Sequence, residues 1–213
     1  MKKYLVLIAA MLLFGQSAVF GATLYDFESG TQSWITSTYP GDDYMTAVAQ
    51  SSAQQHGGSY SLAGTITDLG ANQSGQALVN PTPPKDLTGL ILSAYAYAPT
   101  GMGGTASAPN AFQLFVKTGS AWVWNETPWS AGQLGPTKEN QWIKLTMDMA
   151  GVADANDVRE IGIKFGASGA MVGTLSGTVY MDDVEVIPEP TSLLLLGSGL
   201  VGLLGFTTRR KKA

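Results

Sequence analysis

Between residues 22 and 187, short runs of β-forming residues alternate with turns rich in Gly, Pro, Asn and Ser. The runs predict ten strands, at 23–28, 46–49, 59–65, 77–79, 90–98, 111–118, 122–126, 142–148, 160–166 and 178–187. Helical periodicity is almost absent, and short strands at this spacing are typical of a sandwich. The pattern therefore predicts one all-β domain, an antiparallel β-sandwich of the jelly-roll type.

Alternation along a strand also predicts which side chains face the core, because neighbouring residues point to opposite faces. In the last predicted strand, Val184 and Val186 have the character of core residues, and strict alternation places Asp182 on the core side with them. A buried carboxylate is costly unless it is hydrogen-bonded, paired or bound to a metal. Asp182 is therefore a candidate site residue, either as a hydrogen-bonded carboxylate or as a metal ligand.

Two apolar segments flank the domain. Lys2 and Lys3 precede an apolar run over 4–14 and then small residues, which predicts a signal peptide at 1–21 with cleavage after Gly21. Residues 191–208 carry no charge and precede the basic cluster 209–212. A helix of that length, about 27 Å, just crosses a bilayer. The segment predicts a transmembrane helix that holds the domain of residues 22–187 outside the membrane.

The charge of the domain excludes some classes of function. Without its two ends, the chain has six basic and fifteen acidic residues, a net charge of about −9, which argues against nucleic acid as a partner. The absence of cysteine excludes disulfides and thiolate zinc sites. His56 is the only histidine, and the sequence has no nucleophile elbow, phosphate loop or dinucleotide fingerprint. No residue is predicted to be catalytic.

Aromatic residues are concentrated at 122–129. Trp122 and Trp124 share one face of a predicted strand, and Trp129 lies in the loop beyond it. Tyr97 and Gln113 lie on other predicted strands, where they could add a ring and an amide to the same surface. These five residues are candidate sugar ligands, although tryptophan in a sandwich is more often part of the core. Exposure of Trp124 and Trp129 beside a groove would favour the binding interpretation.

The C-terminus resembles a sorting signal. Pro188-Glu189-Pro190, the apolar run and the cluster that begins with Arg209 and Arg210 are similar to the PEP-CTERM signal of Gram-negative bacteria. The resemblance implies that an exosortase-type enzyme removes the tail over 188–213 and transfers the protein to the cell surface, in organisms that make exopolysaccharide. A tail anchor that is never cleaved is the alternative.

The domain resembles the galactose-binding-like jelly rolls that serve as non-catalytic carbohydrate-binding modules in polysaccharide-degrading enzymes. The resemblance rests on the order of six stretches: YDFE at 25–28, HGGSYSL at 56–62, DLTG at 86–89, QW at 141–142, VREIGI at 158–163 and VYMDDV at 179–184. It implies a polysaccharide partner and structural roles for His56, Trp34 and Trp142. It also implies a structural Ca²⁺ held by Glu28 and Asp182, with Asp26 as a lesser ligand.

The sequence therefore predicts an exported, surface-anchored, non-catalytic protein that binds polysaccharide or associates with an exopolysaccharide matrix. One alternative is a structural surface or adhesion protein without a sugar site. Another is a small glycoside hydrolase or lyase, which would require a pair of carboxylates that converge in a groove.

Overall fold

The structure, a computed structural model, describes residues 21–188, which form an antiparallel two-sheet sandwich. The strands are β1 (Ala22–Tyr25), β2 (Ile35–Thr36), β3 (Met45–Ser51), β4 (Ser61–Leu69), β5 (Ser74–Val79), β6 (Leu90–Tyr97), β7 (Ala111–Thr118), β8 (Val123–Glu126), β9 (Trp142–Asp148), β10 (Val158–Gly166) and β11 (Leu175–Pro188). Short 3-10 turns lie at Trp129–Gly132 and Met149–Gly151. All ten predicted strands are present with ends displaced by a few residues, and only the two-residue β2 was not predicted.

The predicted signal peptide up to residue 20, the predicted transmembrane helix and the basic tail lie outside the described residues. Within residues 21–188, no helix has the length and apolar character needed to span a membrane.

The first sheet has the order β3-β4-β11-β6-β9, and β1 pairs with the C-terminal part of β11. The second sheet has the order β2-β5-β10-β7-β8. Apolar side chains from the inner faces of both sheets fill the space between them. Trp34 is fully buried there, edge-on to Tyr25 and Phe27 with ring centroids 5.6 Å apart in each pair, so its predicted structural role is confirmed.

β7 and β10 form the middle of the second sheet, and their side chains alternate strictly in β7 and, beyond a register shift at its start, in β10 from Glu160 onward. Leu114, Val116, Ile161 and Ile163 belong to the core. The residues between them therefore point to the opposite, outer face of this sheet. Register pairs these outer residues across the two strands as Lys117 with Glu160, Phe115 with Gly162, and Gln113 with Lys164.

β11 breaks the alternation at a β-bulge. Met181 and Val184 both belong to the core although they are three positions apart, and the register with β6 shifts between Asp182 and Glu185. Asp183, with φ of 45°, lies within the bulge. One extra residue reverses the phase of a strand, so Asp182 lies on the outer side of the first sheet. Its predicted placement on the core side was wrong, because the prediction assumed an uninterrupted strand.

Candidate functional site

A cleft of about 790 Å³ opens on the outer face of the second sheet. Strands β7, β8 and β10 and the segment after β2 supply its walls. The lining side chains are Tyr39, Asp42, Lys117, Trp122, Trp124, Glu126, Glu160 and Lys164. Two of the five predicted sugar ligands, Trp122 and Trp124, therefore lie in one cleft together with aromatic, basic and acidic groups.

Trp124 is held as a flat platform by the residues beneath it. Its ring stacks on Phe115, with ring centroids 4.4 Å apart and an interplanar angle of 10°. Phe115 lies on the outer face but is completely buried. Its ring crosses Gly162 of β10, where a Cβ would overlap it. The missing side chain at Gly162 thus lets Phe115 lie against the sheet, where it supports the Trp124 ring.

The other two tryptophans of this segment lie on either side of Trp124 along the chain and are exposed. Trp129, in the 3-10 turn after β8, is 40% exposed, and its ring lies where a Cβ at Gly166 would be. Trp122 is 42% exposed just before β8. Trp124 itself is only partly exposed, so the expected exposure holds for Trp129 but not fully for Trp124. The exposed rings beside the cleft support the platform interpretation, whereas core tryptophans would be covered as Trp34 is.

Lys117 forms the more buried of two charged clusters in the cleft. Its Nζ lies 2.7 Å from Glu160 Oε1, and both side chains are almost fully buried. The same ammonium lies over the rings of Tyr39 and Trp124, 4.7 and 5.0 Å from their centroids. A desolvated charge requires such a partner, and the π faces add a further favourable interaction. The pair therefore fixes Lys117 between the two aromatic walls.

Lys164 connects the remaining acids. Its Nζ lies 3.6 Å from Asp42 Oδ1 and 3.5 Å from Glu126 Oε2, and 4.8 Å from the Trp124 ring centroid. Glu126 Oε2 also accepts a hydrogen bond of 2.8 Å from the indole Nε1–H of Trp124. Three carboxylates thus face two ammonium groups, which leaves the cleft close to neutral and rich in hydrogen-bonding groups.

Tyr97 does not lie at this site, so its prediction was wrong. It belongs to β6 in the first sheet, is 8% exposed, and packs with Trp142 and Tyr180 at centroid distances of 5.4 and 6.0 Å. The sequence places Tyr97 on a strand but does not indicate which sheet that strand joins. This outer surface of the first sheet also contains Trp142, in agreement with its predicted structural role.

Gln113 lies on the correct sheet face but beneath the surface. It is 1% exposed, and its Nε2 donates to the carbonyl oxygen of Thr127 at 2.6 Å, which ties β7 to the loop after β8. The charged lining residues were not predicted as ligands from the sequence. The pattern that could have found them is the polar alternation of β7 and β10, where Lys117, Glu160 and Lys164 share the outer face.

Asp182, one of the three predicted calcium ligands, lies under the loop that contains His56. Its Oδ2 accepts hydrogen bonds from the backbone N–H groups of His56 and Gly57 at 2.9 and 3.2 Å, and its Oδ1 accepts one from Asp183 at 2.8 Å. Burial is the main reason why the pKa of Asp182 is raised to about 6. These contacts support the interpretation of Asp182 as a hydrogen-bonded carboxylate.

His56 itself covers the outer face of the first sheet. Its ring stacks on Tyr95 with centroids 3.4 Å apart, and its Nδ1 lies 2.7 Å from Asp183 Oδ2. These contacts fasten the loop over Asp182, in agreement with the structural role predicted for this histidine.

Glu28 and Asp26 also bind backbone and amide donors. Glu28 Oε1 accepts from the N–H groups of Ser59 and Tyr60 at 2.7 and 2.9 Å, and Asp26 Oδ1 accepts from Gln32 Nε2 at 2.7 Å. Among residues 21–188, no three acidic or histidine side chains are grouped to hold a metal ion. Because Ca²⁺ needs six to eight converging oxygens, this arrangement does not fit the ion, and calcium stays a prediction from the resemblance.

Two family models match this chain, one over the sandwich domain and one over the C-terminal segment. A family model described as "Mannanase, galactose-binding domain-like" matches residues 25–183. A model for the PEP-CTERM protein-sorting motif matches residues 186–211, which confirms the resemblance of the C-terminus. Mannan endo-1,4-beta-mannosidase A and B of Caldalkalibacillus mannanilyticus is 30% identical over 174 residues, which cover 81% of this chain and 30% of that protein. The chain thus spans less than a third of the length of this relative.

Solved structures share the sandwich. A structure from a study of promiscuous specificity in carbohydrate-binding modules of the β-sandwich superfamily aligns with a TM-score of 0.57 and 18% identity, over 80% of this chain and 64% of that one. CBM27-1 of Caldicellulosiruptor saccharolyticus, solved in complex with mannohexaose, aligns with a TM-score of 0.53 and 17% identity, over 81% of this chain and 99% of that one. At these identities the likeness shows a common fold, as the sequence predicted.

Proposed function

The chain belongs to the mannanase, galactose-binding domain-like family, and from this premise we propose that its sandwich domain is a non-catalytic polysaccharide-binding module of an exported protein. The cleft on the outer face of the second sheet is the binding site. The observation that carries the proposal is the Trp124 ring, which is stacked on buried Phe115 over Gly162 and bordered by ion-paired side chains.

The cleft is suited to a hydroxyl-rich, ring-shaped ligand. The half-buried Trp124 indole, with the Lys117 and Lys164 ammonium groups about 5 Å from its centroid, offers an apolar edge to the C–H groups of a pyranose ring, while the carboxylates of Asp42, Glu126 and Glu160 accept hydrogen bonds from hydroxyl groups. The Phe115 stack and the two lysine clusters fix these groups before a ligand arrives. Such preorganisation lowers the entropic cost of binding.

A mannan is the first polysaccharide to test. The relative from Caldalkalibacillus mannanilyticus carries the name of a mannan endo-mannosidase, and CBM27-1 was solved with mannohexaose. Mannan carries no charge, which suits a cleft that is close to neutral in a domain with a net charge of about −9. An acidic polysaccharide would be repelled by the domain as a whole.

We propose binding without hydrolysis, although three carboxylates share the cleft. Glycoside hydrolysis requires two carboxyl groups that flank the scissile bond, one of which delivers a proton. Here Glu160 is paired with Lys117, and Asp42 and Glu126 both contact Lys164. All three carboxylates are thus directed at lysine ammonium groups instead of flanking an open position for a scissile bond. Incubation with mannan should therefore release no reducing ends, and measurable release would favour the hydrolase alternative.

The sorting motif supports a position at the cell surface. We propose that the segment over 191–208 holds the protein in the membrane until an exosortase-type enzyme processes it. The domain then presents its cleft to polysaccharide outside the cell, including the exopolysaccharide matrix of the organism.

Affinity electrophoresis tests the proposed function. The purified protein is run through gels that contain mannan, xylan or alginate, beside the variants Trp124→Ala and Trp142→Ala. Loss of a central aromatic contact costs about 2 kcal/mol, or roughly thirtyfold in affinity, so Trp124→Ala should migrate in mannan gels as if no mannan were present. Trp142→Ala, on the opposite sheet, is the matched control and should still be retarded. A folded wild-type protein that no polysaccharide retards would refute the proposal and favour a structural surface protein.

A further inference from the structure

The first and last strands of the domain lie side by side at one end of the first sheet. β1 pairs antiparallel with the C-terminal part of β11, with Ala22 opposite Val186. β11 ends at Pro188, the first residue of the Pro-Glu-Pro motif, and the match to the sorting-motif model already begins at residue 186. β1 begins directly after Gly21, the last residue of the predicted signal peptide. The predicted N-terminus of the exported protein therefore lies against the base of the sorting segment.

Few contacts hold β1 in place. It has four residues, it pairs with β11 alone among the described strands, and its register shifts between Thr23 and Tyr25. Ala22 and Thr23 are exposed, whereas Leu24 and Tyr25 are half-buried against the core. Terminal segments with few contacts open more readily than the rest of a fold. An additional interaction at Ala22 should therefore have a measurable effect on the pairing of β1.

The Glu185 carboxylate extends between the strands on either side of β11. Its Oε1 lies 2.9 Å from Lys144 Nζ of β9 and 3.1 Å from Ser93 Oγ of β6. Its Oε2 lies on the β1 side, 3.5 Å from the position that a Cβ at Gly21 would take. The Glu185 side chain is 23% exposed, so solvent screens its charge only in part. One oxygen of Glu185 is thus turned toward the start of β1.

Removal of the predicted signal peptide creates a cationic group at this place. Hydrolysis of the Gly21–Ala22 peptide bond consumes one water molecule and leaves a carboxylate on Gly21 and an α-amino group on Ala22. With an ordinary pKa of about 7.7–8.0, that amino group carries a proton at neutral pH. Gly21 lies tightly against β11, where a Cβ would be 3.0 Å from the Val186 carbonyl oxygen. An ammonium group at Ala22 can therefore donate both to this oxygen and to Glu185 Oε2.

We propose that the α-ammonium group created at Ala22 by signal-peptide removal pairs with Glu185 and locks β1 onto β11. In the precursor, an uncharged peptide bond occupies the same place, so β1 pairs with β11 less firmly. Maturation of the N-terminus thus completes the sheet at the point where the sorting segment leaves it. The inference rests on the predicted cleavage after Gly21 and is independent of polysaccharide binding.

Hydrogen–deuterium exchange of the purified protein in detergent micelles tests the inference. The protein is prepared with residues 22–213, once with a free amino group at Ala22 and once with that group acetylated, which removes the charge. The measured quantity is the exchange rate of the backbone amides over 184–186 in β11, because those that point to β1 are protected only while β1 is in place. Acetylation should raise this rate about fivefold, the equivalent of about 1 kcal/mol for a partly buried charge pair.

A double-mutant cycle identifies the partner of the ammonium group. In Glu185→Gln, acetylation should leave the exchange rate unchanged, because the counter-charge is already absent. Glu189→Gln is the matched control, since Glu189 is the next acidic residue of the chain, and acetylation should keep its full effect there. Lys144→Met should also preserve the effect, because Lys144 contacts the other oxygen of Glu185.

Three outcomes would overturn the proposal. The first is an equal exchange rate in the free and the acetylated wild-type protein, a comparison that needs no substitution and so does not depend on how well a variant folds. The second is an effect of acetylation that persists in Glu185→Gln and disappears in Glu189→Gln, since Glu189 would then be the partner. The third is an exported protein whose first residue, by N-terminal sequencing, is not Ala22.

Discussion

Replacing Asp182 with Asn should change how the stability of the domain depends on pH. Asp182 is fully buried, and burial raises its pKa from 3.8 to about 6. A carboxyl group whose pKa is raised by folding contributes its stabilisation while it is protonated, below the unfolded value. That contribution is lost as pH rises through about 6. A difference of about two pKa units corresponds to about 3 kcal/mol in the free energy of unfolding.

The measurement is urea denaturation of the wild-type protein and Asp182→Asn in calcium-free buffers between pH 4 and pH 8. The variant loses hydrogen bonds at every pH, because Asn has one acceptor oxygen while Asp182 accepts from three backbone N–H groups. The informative quantity is therefore the change with pH of the stability difference between the two proteins. Relative to the variant, the wild-type protein should lose about 2 kcal/mol between pH 4 and pH 7, because at pH 4 the unfolded carboxyl is already partly ionised.

A stability difference that does not vary with pH would refute this reasoning, since it would mean that the hydrogen bonds fully compensate the cost of burial. The same experiment with added Ca²⁺ tests the calcium prediction. A bound cation favours the charged carboxylate, so the wild-type protein would then gain stability with pH relative to the variant. Calcium that leaves both curves unchanged would contradict a structural ion held by Asp182.

Three further predictions concern the two sheets. Gly162→Ala places a Cβ where the Phe115 ring lies, so the displaced stack should weaken mannan binding at least tenfold and cost about 1–3 kcal/mol of stability, as measured by calorimetry and urea denaturation. Unchanged affinity would show that the stack does not position the platform. Glu160→Gln leaves the ammonium of Lys117 buried without its counter-charge and should cost about 3 kcal/mol, and the double variant with Lys117→Met should recover most of the loss. A double variant no more stable than Glu160→Gln would contradict this account of the pair. Tyr97→Phe should leave mannan retardation in gels unchanged, because Tyr97 lies on the first sheet, and weaker retardation would place the site elsewhere.

Much of the fold could be predicted from the sequence, because strands and turns are local properties. Period-two alternation, β-forming residues and Gly or Asn turns gave all ten longer strands, and the two-residue β2 was missed because it carries no periodic signal. The candidate site was predicted in part for the same reason. Trp122 and Trp124 alternate on one short strand, so their common face follows from strand geometry alone.

The partners of these residues could not be predicted, because strand order is decided by long-range pairing. Lys117 and Glu160 are 43 positions apart in the chain, and only the pairing of β7 with β10 brings their side chains together. Long-range pairing can also separate residues that were predicted to lie together, as it does for Tyr97. Its strand, β6, joins the other sheet, so the ring lies away from the tryptophans.

The sequence by itself determined the all-β class, the strand positions and the acidic character of this protein, and it indicated the sorting motif at its end. Only the tertiary structure decided which strands share a sheet, where the bulge in β11 falls and which carboxylates become buried. Asp182 shows the reason. The register shift against β6 places the Asp182 side chain on the outer face of the first sheet. The loop that covers it, which contains His56, lies more than a hundred residues earlier in the chain. Local periodicity carries neither kind of information.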